Sequence, residues 1–235
     1  MRKKNRTRSL LINSNRFFYL FVLILLPSCA SLNNDQVAPS WTFAYKAVKN
    51  AVFGYPDLNI TREVIENIPY ASALLKVGKG TEGLVILESI QNDKYLWVSG
   101  DNVYVLIKDG RIERSIGLYN NLTNITSIDQ SFEDLLTLSN PVTEYSSYYS
   151  FEKPTLFDLK VSVSIENKGM QEIEILGEKR NLLLIEETIA SEQIGWKEKN
   201  KFWVDPEDYF VWKSIQNISP KLPEFTFQIT KKPAS

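Results

Sequence analysis

Leu84–Ile112 reads LVILESIQNDKYLWVSGDNVYVLIKDGRI, and this stretch decides the fold. Leu84–Ile90, Tyr95–Ser99 and Val103–Lys108 are short runs rich in branched and aromatic residues. They are too short for stable helices and bounded by turn formers, as strands are. Gly100-Asp101-Asn102 supplies one turn. Asp109-Gly110, set between Val105/Ile107 and Ile112, is a strong signal for a two-residue hairpin, because both positions of such a turn favour positive φ. The stretch is therefore predicted to be an antiparallel meander.

The pattern continues outward in both directions. Leu74–Val77 precedes glycines at 78, 80 and 83. Downstream, strands are predicted at Leu156–Glu166, Gln171–Leu176, Asn181–Thr188, Lys201–Asp205, Phe210–Ile218 and Phe225–Lys231. Asn167-Lys168-Gly169 and Gly177–Asn181 are read as the turns between them. Helical signals are few. Ser40 is placed to cap a helix whose apolar face is Ala44, Ala47, Val48, Ala51 and Val52, stopped by Gly54 and Pro56. A second short helix is expected after Thr61 (TREVIENI), ending at Pro69. A third helical turn or two is expected at Ser131–Leu138, with Ser131 as cap and Asp134 three residues on. The expected fold is mainly β: one curled or closed antiparallel sheet, barrel-like or half-barrel-like, with one or two short helices.

The charges are distributed unevenly. Arg2, Lys3, Lys4, Arg6, Arg8 and Arg16 crowd the start, and no acidic residue precedes Asp35. The apolar run Phe17–Leu26 follows. A basic segment, a short apolar segment and then small residues form a secretory signal, and ten apolar residues are too few to span a bilayer. Leu26-Pro27-Ser28-Cys29 resembles the bacterial lipobox, in which the cysteine is acylated and the leader is cut before it. The expected organisation is a signal peptide over 1–28, lipidated Cys29 with a flexible linker over 29–40, and a single mainly β domain over 41–235. Losing the six basic residues leaves 21 basic against 28 acidic groups, a net charge of −7. So acidic a body is a poor surface for nucleic acid. The membrane is expected to be reached through the lipid on Cys29 instead. Ala30 and Ser31 follow that cysteine, with no Asp directly after it, so by resemblance to other lipoproteins the expected address is the periplasmic face of the outer membrane.

Composition removes most catalytic chemistries. There is no histidine and one cysteine among 235 residues. Ser-His-Asp and Cys-His machinery, His-ligated zinc and haem, Cys-cluster metal sites and an intramolecular disulfide are all excluded. No phosphate-binding glycine loop occurs, and no cofactor is expected. Ser150-Phe151-Glu152-Lys153 matches S-x-x-K, but Pro154 denies it the helix that motif needs. Glu186 and Glu187 are adjacent in a strand and so point to opposite faces. Asp205-Pro206-Glu207-Asp208 reads as a hairpin turn rather than paired acid and base. The tryptophans are more informative. Trp97, Trp196, Trp203 and Trp212 lie in or beside strands, where they either pack a core or offer faces to a sugar ring or a lipid.

Several segments resemble the group 4 capsule polysaccharide lipoprotein family. They begin with Ile60-Thr61-Arg62-Glu63 and Ile68-Pro69-Tyr70-Ala71, then Trp97-Val98-Ser99, Asp109-Gly110-Arg111-Ile112 and Gly117-Leu118. Later come Ile175-Leu176-Gly177, Glu186-Glu187, Gly195-Trp196, Asn200–Asp205, Val211–Gln216 and Ser219-Pro220. The chain departs from the family pattern at Tyr209, where a glycine is expected. The resemblance implies a non-catalytic outer-membrane lipoprotein that assists secretion or assembly of an exopolysaccharide or capsule, with glycan or export proteins as partners. Trp97, Arg111, Trp196, Trp203, Asp205, Trp212, Ser214 and Gln216 are the candidate contacts. The Trp203–Ser214 hairpin also looks loosely like the periplasmic lipoprotein-carrier half-barrels, so a lipid or lipoprotein carrier is the alternative.

Overall fold

The computed structural model describes residues 60–233. The predicted leader, Cys29, the linker and the helix after Ser40 lie outside the described residues.

Twelve strands form one antiparallel sheet: β1 Ser72–Val77, β2 Gly83–Gln91, β3 Lys94–Ser99, β4 Tyr104–Lys108, β5 Arg111–Ile116, β6 Leu122–Thr126, β7 Glu144–Phe151, β8 Leu156–Ile175, β9 Glu178–Ser191, β10 Trp196–Val204, β11 Val211–Gln216 and β12 Phe225–Lys231. Their order is β5-β4-β3-β2-β1-β12-β11-β10-β9-β8-β7-β6. Every neighbour is also the next strand in sequence, except that β1 pairs with β12. The sheet is thus two meanders sewn together through the first and last strands. Its edges, β5 and β6, are consecutive in the chain and share no backbone ladder. Where they meet, Leu122 N donates to Ser115 Oγ at 3.0 Å. The result is a nearly closed, barrel-like sheet.

Side chains crossing the enclosed space mark its interior. Five strands separate β5 from β11 in the sheet, yet Gln216 of β11 hydrogen-bonds the backbone of β5. Trp97 of β3 meets Phe227 of β12 edge-on, with ring centroids 5.3 Å apart. The buried core also takes in Val85, Val105, Ile112, Val161, Ile185, Ile189 and Phe202 from around the sheet. Alternation supplies these residues, since every second side chain of a strand faces the same way.

Among the described residues two helices accompany the sheet, α1 (Arg62–Glu66) and α2 (Phe132–Thr137). Thr61 caps α1. Ser131 and Asp134 form a full capping box on α2, satisfying donors that would otherwise be orphaned. Helix α2 drops Phe132 into the interior against Phe202, with centroids 5.1 Å apart.

The structure corrects one turn and adds two strands. Asn167-Lys168-Gly169 does not reverse the chain. β8 runs through it as a single 20-residue strand, and the register against β9 shifts between Asn167 and Met170. Gly169 has φ +83°, so the residue read as a turn former makes a bulge instead. β6 (LTNIT) and β7 (EYSSYYSF) lack a regular apolar alternation, and each pairs along a neighbour that fixes it. Tyr209, where the resemblance leads one to expect glycine, adopts φ +60°. The turn keeps its glycine-like backbone, at a cost of about 1–2 kcal/mol for a side chain in that region.

Candidate functional site

One hairpin stands between two cavities. The β4–β5 turn, Asp109-Gly110, leans inward and is held there by Gln216. Gln216 Nε2 donates to Gly110 O at 2.9 Å and to Ser214 Oγ at 2.8 Å. Its Oε1 accepts from Ile112 N, also at 2.9 Å. A side chain on Gly110 would bring its Cβ within 2.4 Å of Val211, so the close approach requires glycine. Asp109 and α2 complete the wall, and Asp109 borders the space on both sides.

The first compartment, about 310 Å³, lies behind the gap between β5 and β6 and is polar. Arg111 reaches across it to Glu187, with Nε to Oε1 at 2.9 Å and an amino nitrogen at 2.7 Å. The guanidinium also lies 4.1 Å from the centre of the Phe132 ring, a cation–π contact. Tyr145, Tyr149, Asn200 and Gln216 complete the lining. Burial, then the charge of Glu187, pushes the Tyr149 phenol far above its ordinary range, so it stays neutral. The neighbouring carboxylate, Glu186, faces the other way toward Lys199 at 2.6 Å. That hydrogen bond holds Glu186 below the usual carboxylate range. The adjacent pair therefore serves two separate ion pairs.

The second compartment, about 260 Å³, is aromatic. Trp97, Phe132 and Phe227 form a buried floor, and Tyr95, Tyr209 and Phe210 form half-buried walls. Three hairpin turns converge on its rim. They bring Asp93 from β2–β3, Asp109 from β4–β5, and Asp208 with Tyr209 from β10–β11. Burial raises the Asp109 carboxyl above its ordinary value.

The sequence-predicted contacts thus fall into separate places. Trp97 and Ser214 belong to the aromatic compartment, and Arg111 and Gln216 to the polar one. Trp196 packs edge-on against Tyr149, 5.9 Å between centroids, and lines a third cavity of about 320 Å³ with Asn120 and Phe151. Trp203, Asp205 and Trp212 are at the base of the β10–β11 hairpin. Trp203 Nε1 donates to Gln171 at 3.1 Å, and Trp212 Nε1 donates to Asp205 at 3.2 Å. Arg180 stacks on Trp212 at 3.7 Å, so that ring face is already covered. Sequence reasoning missed Glu187 as the partner of Arg111 and Tyr209 as a cavity wall. Only the positive φ implied at Tyr209 left a trace in the chain. Among the described residues, no group of three or more acidic or thiol side chains is arranged to hold a metal ion, and no helix is long and apolar enough to cross a membrane.

The fold is similar to that of a solved bacterial protein. The crystal structure of the hypothetical lipoprotein YmcC from Escherichia coli K12 superposes with a TM-score of 0.66 at 21% identity, over 85% of this chain and 98% of that one. The chain belongs to the family described as group 4 capsule polysaccharide lipoprotein GfcB, YjbF, which it matches over residues 45–229. It is 24% identical to the uncharacterized lipoprotein GfcB of E. coli K12 over 171 residues, 72% of this chain and 79% of that one. It is 19% identical to the uncharacterized lipoprotein YjbF of the same strain over 199 residues, 80% and 84% of the two chains.

Proposed function

We propose that the protein is a lipoprotein of the outer membrane, held at its periplasmic face by acyl chains on Cys29, that assists secretion or assembly of a capsule or exopolysaccharide by binding rather than by catalysis. The observation that carries this reading is membership of a family described by its capsule polysaccharide association, in a chain whose Cys29 follows a basic and apolar leader. Glycan or export-complex proteins are its expected partners. The state of the candidate carboxylates supports a binding role. Glu187 is spent on Arg111, Glu186 on Lys199, and Asp205 on its own turn and Trp212. A carrier of lipid or lipoprotein needs a dry interior for acyl chains. The polar compartment is a poor one, because an acyl chain there would have to lie against a buried ion pair.

Deletion of the gene in a strain that makes surface polysaccharide is expected to lower the exported polymer, measured by extraction and sugar analysis. Unchanged export would refute the role. Cys29→Ser is expected to abolish incorporation of radiolabelled fatty acid and to release the protein from the outer-membrane fraction. Retained label would refute the anchor.

A further inference from the structure

We propose that the aromatic compartment is a saccharide subsite that takes a sugar ring bearing no acidic group, with a free amino group strengthening the hold and Tyr209 forming the contact wall; this rests on the polysaccharide reading above. The volume, about 260 Å³, is that of a cup for a small ring and too tight for a bulky folded ligand. Its floor is made of ring faces and edges, and the C–H faces of a pyranose pack on such surfaces. Its rim is made of acceptors. Asp93, Glu133 and Asp208 are exposed and Asp109 is half-buried, while none of its lining residues is basic. Carboxylates accept hydrogen bonds from sugar hydroxyls and attract an ammonium. They repel a uronate, a pyruvyl group or a phosphate.

The protein's own chain shows what this rim prefers. Lys232 pairs with Asp208, and its ammonium stands 4.4 Å from the centre of the Phe210 ring. A carboxylate with an aromatic face beside it is thus already holding a cation at the edge of the cup. Asp208 being already paired with Lys232, an amino sugar would find the same two kinds of partner in Asp93 or Asp109 and the other rings of the cup.

Tyr209 is a wall residue with an unusual backbone. Its φ of +60° is strained for any residue with a side chain, and glycine would adopt it freely. Asp93 and Asp109, at φ +59° and +46°, are the residue type that tolerates this region; a tyrosine is not. The ring lines the opening and stays partly exposed. Part of the ring packs against the core, and the part that faces the opening is what a ligand would meet.

The test is calorimetry and saturation-transfer NMR on the purified full chain in detergent, with three tetrasaccharides: a chitosan tetramer, a chitin tetramer and a tetragalacturonate. The cationic and neutral tetramers are expected to bind with Kd of about 1 mM or tighter, the cationic one more tightly, and the acidic one not to bind. Tyr209→Gly is expected to weaken binding about tenfold while moving Tm by no more than about 3 °C. Failure of both the cationic and neutral tetramers to bind, equal binding of the acidic one, or undiminished binding in Tyr209→Gly would overturn the subsite. Polysaccharide export in the deletion strain judges the broader role separately. If deletion lowers export and Tyr209→Gly restores it in full, the role stands and the subsite falls.

Discussion

At the scale of single residues, the most consequential pair is Arg111 and Glu187. Neither side chain is more than about a quarter exposed, at 22% and 5%. Each ion is therefore compensated chiefly by the other, by the Phe132 ring and by the polar groups of the compartment. Removing one partner strands a largely desolvated charge, which costs about 3–5 kcal/mol. Replacing both with apolar side chains of similar volume costs far less. Arg111→Met alone and Glu187→Leu alone are each expected to destabilise by that amount in urea denaturation, and the double variant by about 1 kcal/mol. Additive losses in the double variant would show that the two charges do not compensate one another. Arg111 entered as a candidate contact through the family-like segment Asp109-Gly110-Arg111-Ile112. Its partner did not, because 76 residues separate Arg111 from Glu187 and no local pattern connects them.

At the scale of elements, the β4–β5 hairpin is both the most readable feature of the sequence and the one whose position the sequence concealed. Asp-Gly announces the turn through its need for positive φ, and Gly110 adopts φ +73°. Nothing in the dipeptide says that the turn will lie against Val211 and be stapled by Gln216. Gly110→Ala therefore incurs two costs, a left-handed alanine and a collision with Val211, and is expected to destabilise by about 3 kcal/mol. Adding Val211→Ala removes the collision but not the strain, so the double variant should recover at least about 1 kcal/mol relative to the summed losses. Gly169→Ala is the control. It has φ +83° but nothing within 4 Å, so only the strain of about 1–2 kcal/mol should appear. Equal losses at Gly110 and Gly169 would remove the wall from the description. The missed strands β6 and β7 belong to this scale as well. Their sequences carry too little alternation to be read alone, and their register comes from the neighbours they pair with.

At the scale of the whole molecule, the sheet closes everywhere except between β5 and β6. Each of these edges has one hydrogen-bonded neighbour, whereas β8, β9 and β10 have two. Edge strands open at lower free energy than strands with ladders on both sides. Hydrogen exchange at neutral pH is thus expected to show faster amide exchange along β5 and β6 than along β9, by about tenfold or more. Comparable protection on both sets would mean that the seam is closed in solution. The polar compartment lies directly behind this seam, so any opening there exposes the Arg111–Glu187 pair to water and weakens it.

The sequence by itself determined the strand-rich class, most hairpins, both described helix caps and the exclusion of histidine-dependent catalysis, cysteine-cluster metal sites and an intramolecular disulfide. These are local properties: backbone preferences, side-chain alternation and atoms that are present or absent. Family membership was also legible, because it rests on the order and spacing of short segments along the chain. Only the tertiary structure decided that β1 pairs with β12, that the curled sheet encloses two unlike compartments, and that Glu187, Gln216 and Tyr209 help to line them. Such relations depend on which distant strands come to face one another, and that is set by the closure of the sheet as a whole rather than by any stretch of residues within it.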